Sequence, residues 1–190
     1  MESKSKPLPE YYTLTVAGLK RRLPIIKVSD HLAIASFVML GDTELIERTA
    51  QALYEHPSLP RYEIDVLVCP EAKAIPLTHC LAELLQVNYI VARKSIKAYM
   101  NNPVVEKVTS ITTTGEQLLV LDGPDVERIR GRNVCIVDDV VSTGGSIKGL
   151  EALLTKTGCK VIAKACVLLE EAGYTGEDLI YLEKLPVFPC

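Results

Sequence analysis

The chain has 190 residues, 48% of them hydrophobic, and a net charge of −3. That length supplies one α/β domain with a substantial core and is too short for two domains of ordinary size. A charge so near zero makes no broad electrostatic case for nucleic acid, and no apolar run reaches membrane-spanning length.

Met1 to Glu10, with its prolines, serines and lysines, reads as a loose end. Tyr11 to Ala17 is rich in strand formers. Gly18 breaks it before a second strand, Leu19 to Val28, so a hairpin is expected. The basic run Lys20, Arg21 and Arg22 reads as a solvated turn rather than a binding site. His31 to Leu40 is apolar and reads as another strand. Asp42 then offers an N-cap, and Leu45, Ile46, Thr49, Ala50 and Leu53 fall on one helical face, with Pro57 and Pro60 closing the helix.

Tyr62 to Cys69 reads as a parallel core strand, because Ile64, Val66, Leu67 and Val68 allow burial on both faces. Pro70-Glu71-Ala72-Lys73-Ala74 opens a helix that runs to about Leu85. Such a strand-turn-helix junction presents backbone amides to an anion. His79, inside that helix, reads as packed or solvent-facing rather than catalytic. Asn88 to Lys94 is a third strand, ending in the cations Arg93 and Lys94. Ser95 to Glu116 is polar, contains Pro103 and Gly115, and suits a two-stranded flap, with Leu118 to Leu121 in the return strand. Asp122 to Gly131 makes a connection with a short helix at Val126 to Ile129.

The most informative stretch is Val134 to Ser146, followed by a helix from Ile147 to about Lys156 that Gly158 ends. A β-branched run delivers Asp138 and Asp139, then Val140 and Val141, then Ser142-Thr143-Gly144-Gly145-Ser146. The glycines let the backbone approach an anion, the hydroxyls add donors, and the helix N-terminus adds free N–H groups and the positive end of its dipole. Two carboxylates beside an anion loop suit a sugar phosphate, since they accept from vicinal hydroxyls. The stretch lacks the lysine of a Walker loop and the spacing of a dinucleotide fold. On the residues alone, a strand ending in a solvated acidic turn stays open. Val161 to Leu169 is a further core strand ending in Glu170-Glu171, and Leu179 to Leu182 adds a last one. The cysteines, Cys69, Cys80, Cys135, Cys159, Cys166 and Cys190, form no C-x-x-C pair, and several sit in apolar runs. Buried free thiols are therefore expected rather than zinc or disulfides. With no hydrophobic signal core at the N-terminus, a reduced cytoplasm is the expected compartment.

Ile136 to Ser146 resembles the 5-phosphoribosyl-1-pyrophosphate (PRPP) motif of the type I phosphoribosyltransferases: apolar strand, two acidic residues, two apolar residues, then a small/Thr-Gly-Gly-hydroxyl loop. The resemblance runs from about Tyr62 to Glu171. It implies one α/β domain over residues 1–190. The core would be a parallel, Rossmann-like sheet, with a β flap at about 95–116 and a small N-terminal hood at about 11–40. It also implies site roles. Asp138 and Asp139 are the catalytic anchors of the ribose hydroxyls. Val141, Ser142, Thr143, Gly144, Gly145 and Ser146 take the 5-phosphate. Glu71, Ala72, Lys73 and Ala74, with Arg93 and Lys94, take the pyrophosphate, and the basic residue equivalent to Lys94 can reach into a neighbouring subunit, so a homodimer is expected. Val140, Leu169 and Glu171 lie beside the base. Mg²⁺ is the implied cofactor, carried by pyrophosphate and ribose hydroxyls, with no protein residue assigned as its ligand.

The Glu-Ala turn and the Ala-Arg-Lys strand end at residues 92–94 are similar to the adenine and xanthine branch, so a purine is the implied base, although Lys73 stands where the adenine type has Arg. Ser110-Ile111-Thr112-Thr113-Thr114-Gly115 is more similar to the xanthine-type flap, and neither Glu106 nor Glu116 matches the adenine-type acid/base, so none is assigned. Adenine is favoured over a 6-oxopurine because Glu171 stands where the xanthine type carries a lysine, and an ionised carboxylate only accepts. Two other readings are a xanthine/hypoxanthine/guanine enzyme and a non-catalytic PRPP-sensing regulator. The hairpin pattern before the core carries no helix-turn-helix signal for such a regulator.

Overall fold

The computed structural model describes residues 8–109, 116–171 and 173–190. Its centre is a five-stranded sheet built from β4 (Val66–Pro70), β5 (Asn88–Ala92), β8 (Asn133–Val141), β9 (Lys160–Glu170) and β10 (Leu179–Leu185). The order is β10-β9-β8-β4-β5 and every pairing is parallel. Both faces are covered, as parallel sheets require. Alternate residues of β8 show it: Cys135 and Val137 join the core beneath α1 (Thr43–Glu55) and α2 (Ile75–Leu85), while Val134 and Ile136 join the core beneath α3 (Gly123–Ile129) and α4 (Gly145–Thr155).

The N-terminal strands β1 (Tyr11–Val16) and β2 (Leu19–Ser29) form the expected hairpin, and β3 (Leu32–Ala35) pairs antiparallel with β2. A strand not anticipated, β11 (Val187–Pro189), adds to β3 from the far end of the chain, with Val187 opposite Ile34. Leu14, Val16 and Leu23 pack into the same core as α1 and α2. A separate antiparallel ribbon consists of β6 (Val104–Thr109) and β7 (Glu116–Leu121). Among the described residues, no helix is long and apolar enough to cross a membrane.

Several boundaries differ from expectation. The strand expected from Tyr62 begins at Val66, because Glu63 N–H closes a turn on the Pro60 carbonyl and Tyr62 stands 93% exposed. The run from His31 is a strand only as far as Ala35. Lys20 to Arg22 lies within β2 rather than in a turn. α3 starts at Gly123, earlier than expected, because the Asp122 carboxylate caps it and Pro124 suits its first turn. All six cysteines are free, with Cys69, Cys135 and Cys166 buried and Cys80, Cys159 and Cys190 half-buried.

The α1 face is as expected: Leu45, Ile46, Thr49, Ala50 and Leu53 are its buried residues. Asp42 starts the helix by accepting from the Leu45 N–H at 3.2 Å, and the same carboxylate receives Arg21 Nε at 2.6 Å. The Arg21 hydrogen bond holds the Asp42 carboxyl below its ordinary range. Asp42→Ala should therefore lower the unfolding free energy by about 1 kcal/mol through the lost cap alone. An unchanged urea midpoint would show that the cap is dispensable.

Candidate active site

β4 and β8 lie side by side and parallel, but the chain leaves β4 toward β5 and leaves β8 toward β9, in opposite directions across the sheet. The carboxyl ends of such a pair open a crevice. Two adjoining clefts occupy it. The first is lined by Glu71, Ala72 and Lys73 from the turn after β4, by Lys94, and by Asp138 and Asp139. The second is lined by Ser142 to Ile147. Asp138, Val140 and Ser146 line both, as do Val108 and Gln117 of the ribbon.

Asp138 and Asp139 are 6% and 7% exposed. The Asp139 N–H donates to Asp138 Oδ1 at 2.9 Å, while Asp139 Oδ2 is buried and meets no hydrogen-bond donor among the described residues. Burial pushes the Asp138 carboxyl well above the usual carboxylate range, the neighbouring Asp139 charge adds to the shift, and Lys73 partly opposes it. A buried acceptor without a donor costs free energy until something fills it, so Asp139 Oδ2, unpaired among the described residues, is open to a donor or a cation. Among the described residues no cluster of three or more metal-binding side chains exists. Two carboxylates alone suit Mg²⁺, which keeps oxygens from substrate phosphates and water rather than a protein cage.

The loop after β8 turns at Gly144, whose φ of +81° is open to glycine and strained for other residues. No side chain caps α4, so the amides of its first turn, at Gly145, Ser146 and Ile147, have no partner within the helix, and these residues line the second cleft. On the other side, the Glu71–Ala72 peptide bond is cis. The Glu71 carboxylate accepts from the Lys94 N–H at 3.0 Å and from Arg93 Nε at 3.2 Å, and these contacts hold it below its ordinary range, the Lys94 bond most of all. Glu71 thus ties the turn after β4 to the end of β5. Arg93 also exchanges two backbone hydrogen bonds of 2.8 Å with Val120, which fixes the root of the ribbon.

Of the residues singled out from sequence, the crevice gathers Glu71, Ala72, Lys73, Lys94, Asp138, Asp139, Val140 and Val141 to Ser146. Ala74 is buried behind the turn, and Arg93 is engaged by Glu71. Leu169 lies opposite Val141 in the sheet but lines neither cleft. Glu171 is exposed, lines neither cleft, and donates its N–H to the Leu185 carbonyl. Glu106 pairs with Lys156 at 2.5 Å. His79 is solvent-facing beside Glu83 and Tyr89. The segment Ser110 to Gly115 and the Glu116 side chain lie outside what is described. Sequence reasoning did not find Val108, Gln117 and Leu119, which line the first cleft. The period-two pattern marks the ribbon but leaves open which face turns inward. A signal did exist in Gly149, because a Cβ there would collide with Val108 and only glycine lets β6 lie down on α4.

Residues 40–186 match the family model described as phosphoribosyl transferase domain. The chain belongs to the type I phosphoribosyltransferase family, in its purine branch. The adenine phosphoribosyltransferase of Mycoplasmopsis agalactiae is 30% identical over 142 residues, covering 75% of this chain and 78% of that protein. The hypoxanthine/guanine phosphoribosyltransferase of Methanococcus voltae is 31% identical over 174 residues, covering 86% and 88%. The adenine phosphoribosyltransferase structure from Thermoanaerobacter pseudethanolicus shares the fold, with a TM-score of 0.64 at 20% identity, over 92% of this chain and 95% of that one. As a phosphoribosyltransferase the chain is a pentosyltransferase enzyme.

The phosphoribosyltransferase holds Asp138 at an electrostatic cost. A carboxyl raised by folding adds full stability below its unfolded pKa of 3.8 and loses it as pH rises through the folded value. Asp138→Asn should therefore melt above the unaltered protein at pH 8, and the gap should shrink as pH falls toward 4. Equal melting temperatures at pH 8 would remove the electrostatic penalty.

Proposed function

We propose that this enzyme transfers 5-phosphoribose from PRPP to a purine base, most readily adenine, releasing pyrophosphate. The observation that carries this reading is that two clefts meet at the buried Asp138, beside Asp139 with its unsatisfied Oδ2, one running to the glycine loop and the other to Lys73 and Lys94. PRPP has the matching order of groups: 5-phosphate, ribose diol, pyrophosphate. The amides of Gly145 to Ile147 and the hydroxyls of Ser142, Thr143 and Ser146 would take the 5-phosphate. Asp138 and Asp139 would accept from the ribose hydroxyls. Ala72, Lys73 and Lys94 would face the pyrophosphate, with Glu71 orienting Lys94 and Arg93.

As the bond to pyrophosphate stretches, positive charge grows on the ribose and negative charge on the leaving group. The two carboxylates are placed for the first and the lysines for the second, so both interactions strengthen toward the transition state. Bound Mg²⁺, held on substrate oxygens next to Asp138 and Asp139, would supply further charge neutralisation on the pyrophosphate. The ribbon, through Val108, Gln117 and Leu119, covers the first cleft and limits water.

The preference for adenine is supported by the similar adenine enzymes, since Glu171, from which the sequence argued for adenine, lies just past the end of β9 and lines neither cleft. Burial raises the half-buried Glu170 carboxyl above its usual range. A 6-oxopurine is the second reading, favoured by the hypoxanthine/guanine relative, which matches over more of the chain than the adenine one.

One assay tests both: PRPP and Mg²⁺ with equimolar adenine, hypoxanthine, guanine and xanthine, with the nucleotides separated afterwards. AMP should predominate, and a 6-oxopurine nucleotide in excess would reverse the base assignment. In the same assay Asp138→Asn and Asp139→Asn should each lose about a hundred- to a thousandfold in turnover; full turnover in both would remove the ribose anchor. Lys94 is exposed at the rim of the first cleft, and in the proposed dimer it would reach toward the partner subunit's site. Sedimentation velocity should show a dimer, and a fully active monomer would rule out any role for Lys94 across subunits.

A further inference from the structure

Against the glycine loop, but outside both clefts, lies a cluster that none of these roles uses. Lys164 stands inside β9 and is 5% exposed, where lysine is rarely found unless paired. Its Nζ lies 2.8 Å from Glu151 Oε1 of α4 and 2.5 Å from Asp178 Oδ2 in the connection to β10. Asp178 Oδ1 in turn accepts from the Tyr174 hydroxyl at 2.9 Å. Burial alone would lower the lysine pKa, but the hydrogen bonds to Asp178 and Glu151 outweigh it and hold Lys164 above its ordinary range, while Asp178 is held below its own.

The far end of this chain of contacts is the loop. The Tyr174 ring rests on Gly144, where an added Cβ would collide with it. Gly173 packs so closely on the Ser142 carbonyl and the Thr143 amide that a Cβ would overlap both. The connection from β9 to β10 therefore presses on the backbone of Ser142 to Gly144, and Lys164 ties that connection to α4, which the loop leads into. A buried ion group is weak evidence for stability, since apolar replacements are often as stable. Its better-attested use is to select one arrangement.

We propose that Tyr174, held by Asp178, Lys164 and Glu151, is a positioning residue that fixes the glycine loop in the conformation that receives the 5-phosphate of PRPP. This rests on the reading of Ser142 to Ser146 as the phosphate site. Without the brace, the loop has to be ordered by the substrate. That cost falls on binding and leaves the chemical step alone. Ordering the backbone of one residue corresponds to about a five- to thirtyfold change in affinity.

The test pairs hydrogen exchange over the peptide spanning residues 142–147 with steady-state kinetics on Tyr174→Ala, Tyr174→Phe and Lys164→Met. Tyr174→Ala should speed exchange in that peptide and raise KM for PRPP about five- to thirtyfold, with kcat and KM for the base unchanged. Tyr174→Phe keeps the ring on Gly144 but loses the hydroxyl that donates to Asp178, and should change both readouts in the same direction by less than Tyr174→Ala. Lys164→Met should move both readouts in the same direction and answers the question if Tyr174→Ala does not fold. Unchanged exchange in Tyr174→Ala and Lys164→Met overturns the brace. Faster exchange with unchanged KM for PRPP overturns its role in binding, and Ser146→Ala then shows where the failure lies. If Ser146→Ala raises KM for PRPP, the phosphate reading stands and the brace alone falls; if it does not, the loop is not the phosphate site.

Discussion

Two adjacent carboxylates buried at the end of an otherwise apolar strand are the constraint around which this molecule is arranged. Adjacent strand residues point to opposite faces, yet Asp138 and Asp139 both line the first cleft. They are tolerated because β8 reaches its carboxyl end there, beside the crevice. The Asp139 N–H turns onto Asp138, Lys73 bears on the same carboxylate from the neighbouring turn, and Asp139 Oδ2 is left unsatisfied among the described residues. An unsatisfied buried oxygen is a poor way to stabilise a fold and a good way to select a ligand rich in donors.

The rest of the crevice follows from that choice. Negative charge at its centre needs positive groups on either side if a doubly anionic sugar is to bind. One flank uses backbone: a helix start without a side-chain cap, reached through a loop that only glycine can turn. The other uses side chains, Lys73 and Lys94, the second held at its backbone by Glu71. Glu71 contributes no donor of its own. Its position is explained by what it holds, since it joins the turn after β4 to the end of β5 and, through Arg93, to the root of the ribbon.

The two faces of the sheet divide the remaining work. The face covered by α1, α2 and the N-terminal sheet forms one core, and the face covered by α3, α4 and the ribbon forms the other. The ribbon can lie over the crevice because Gly149 leaves room for Val108 on α4. The N-terminal sheet is closed by β11 from the opposite end of the chain, so the segments outside the parallel sheet are tied to one another rather than left as loose extensions.

What the sequence determined by itself was local. The α1 face, the apolar period of β8, the aspartate pair and the glycine loop are each written within a dozen residues, and periodicity and turn chemistry act over that range. The tertiary structure decided whatever depends on which strand lies beside which. It placed Arg21 on Asp42 rather than in a solvated turn, brought β11 to β3, selected the inward face of the ribbon, and left Glu171 exposed outside both clefts. It also paired Lys164 with residues 13 and 14 positions away on opposite sides of it in the chain. A lysine inside an apolar run gives no sign of its partners, because a charge acts through space and the partners are chosen by the packing of the strand and helix that carry them.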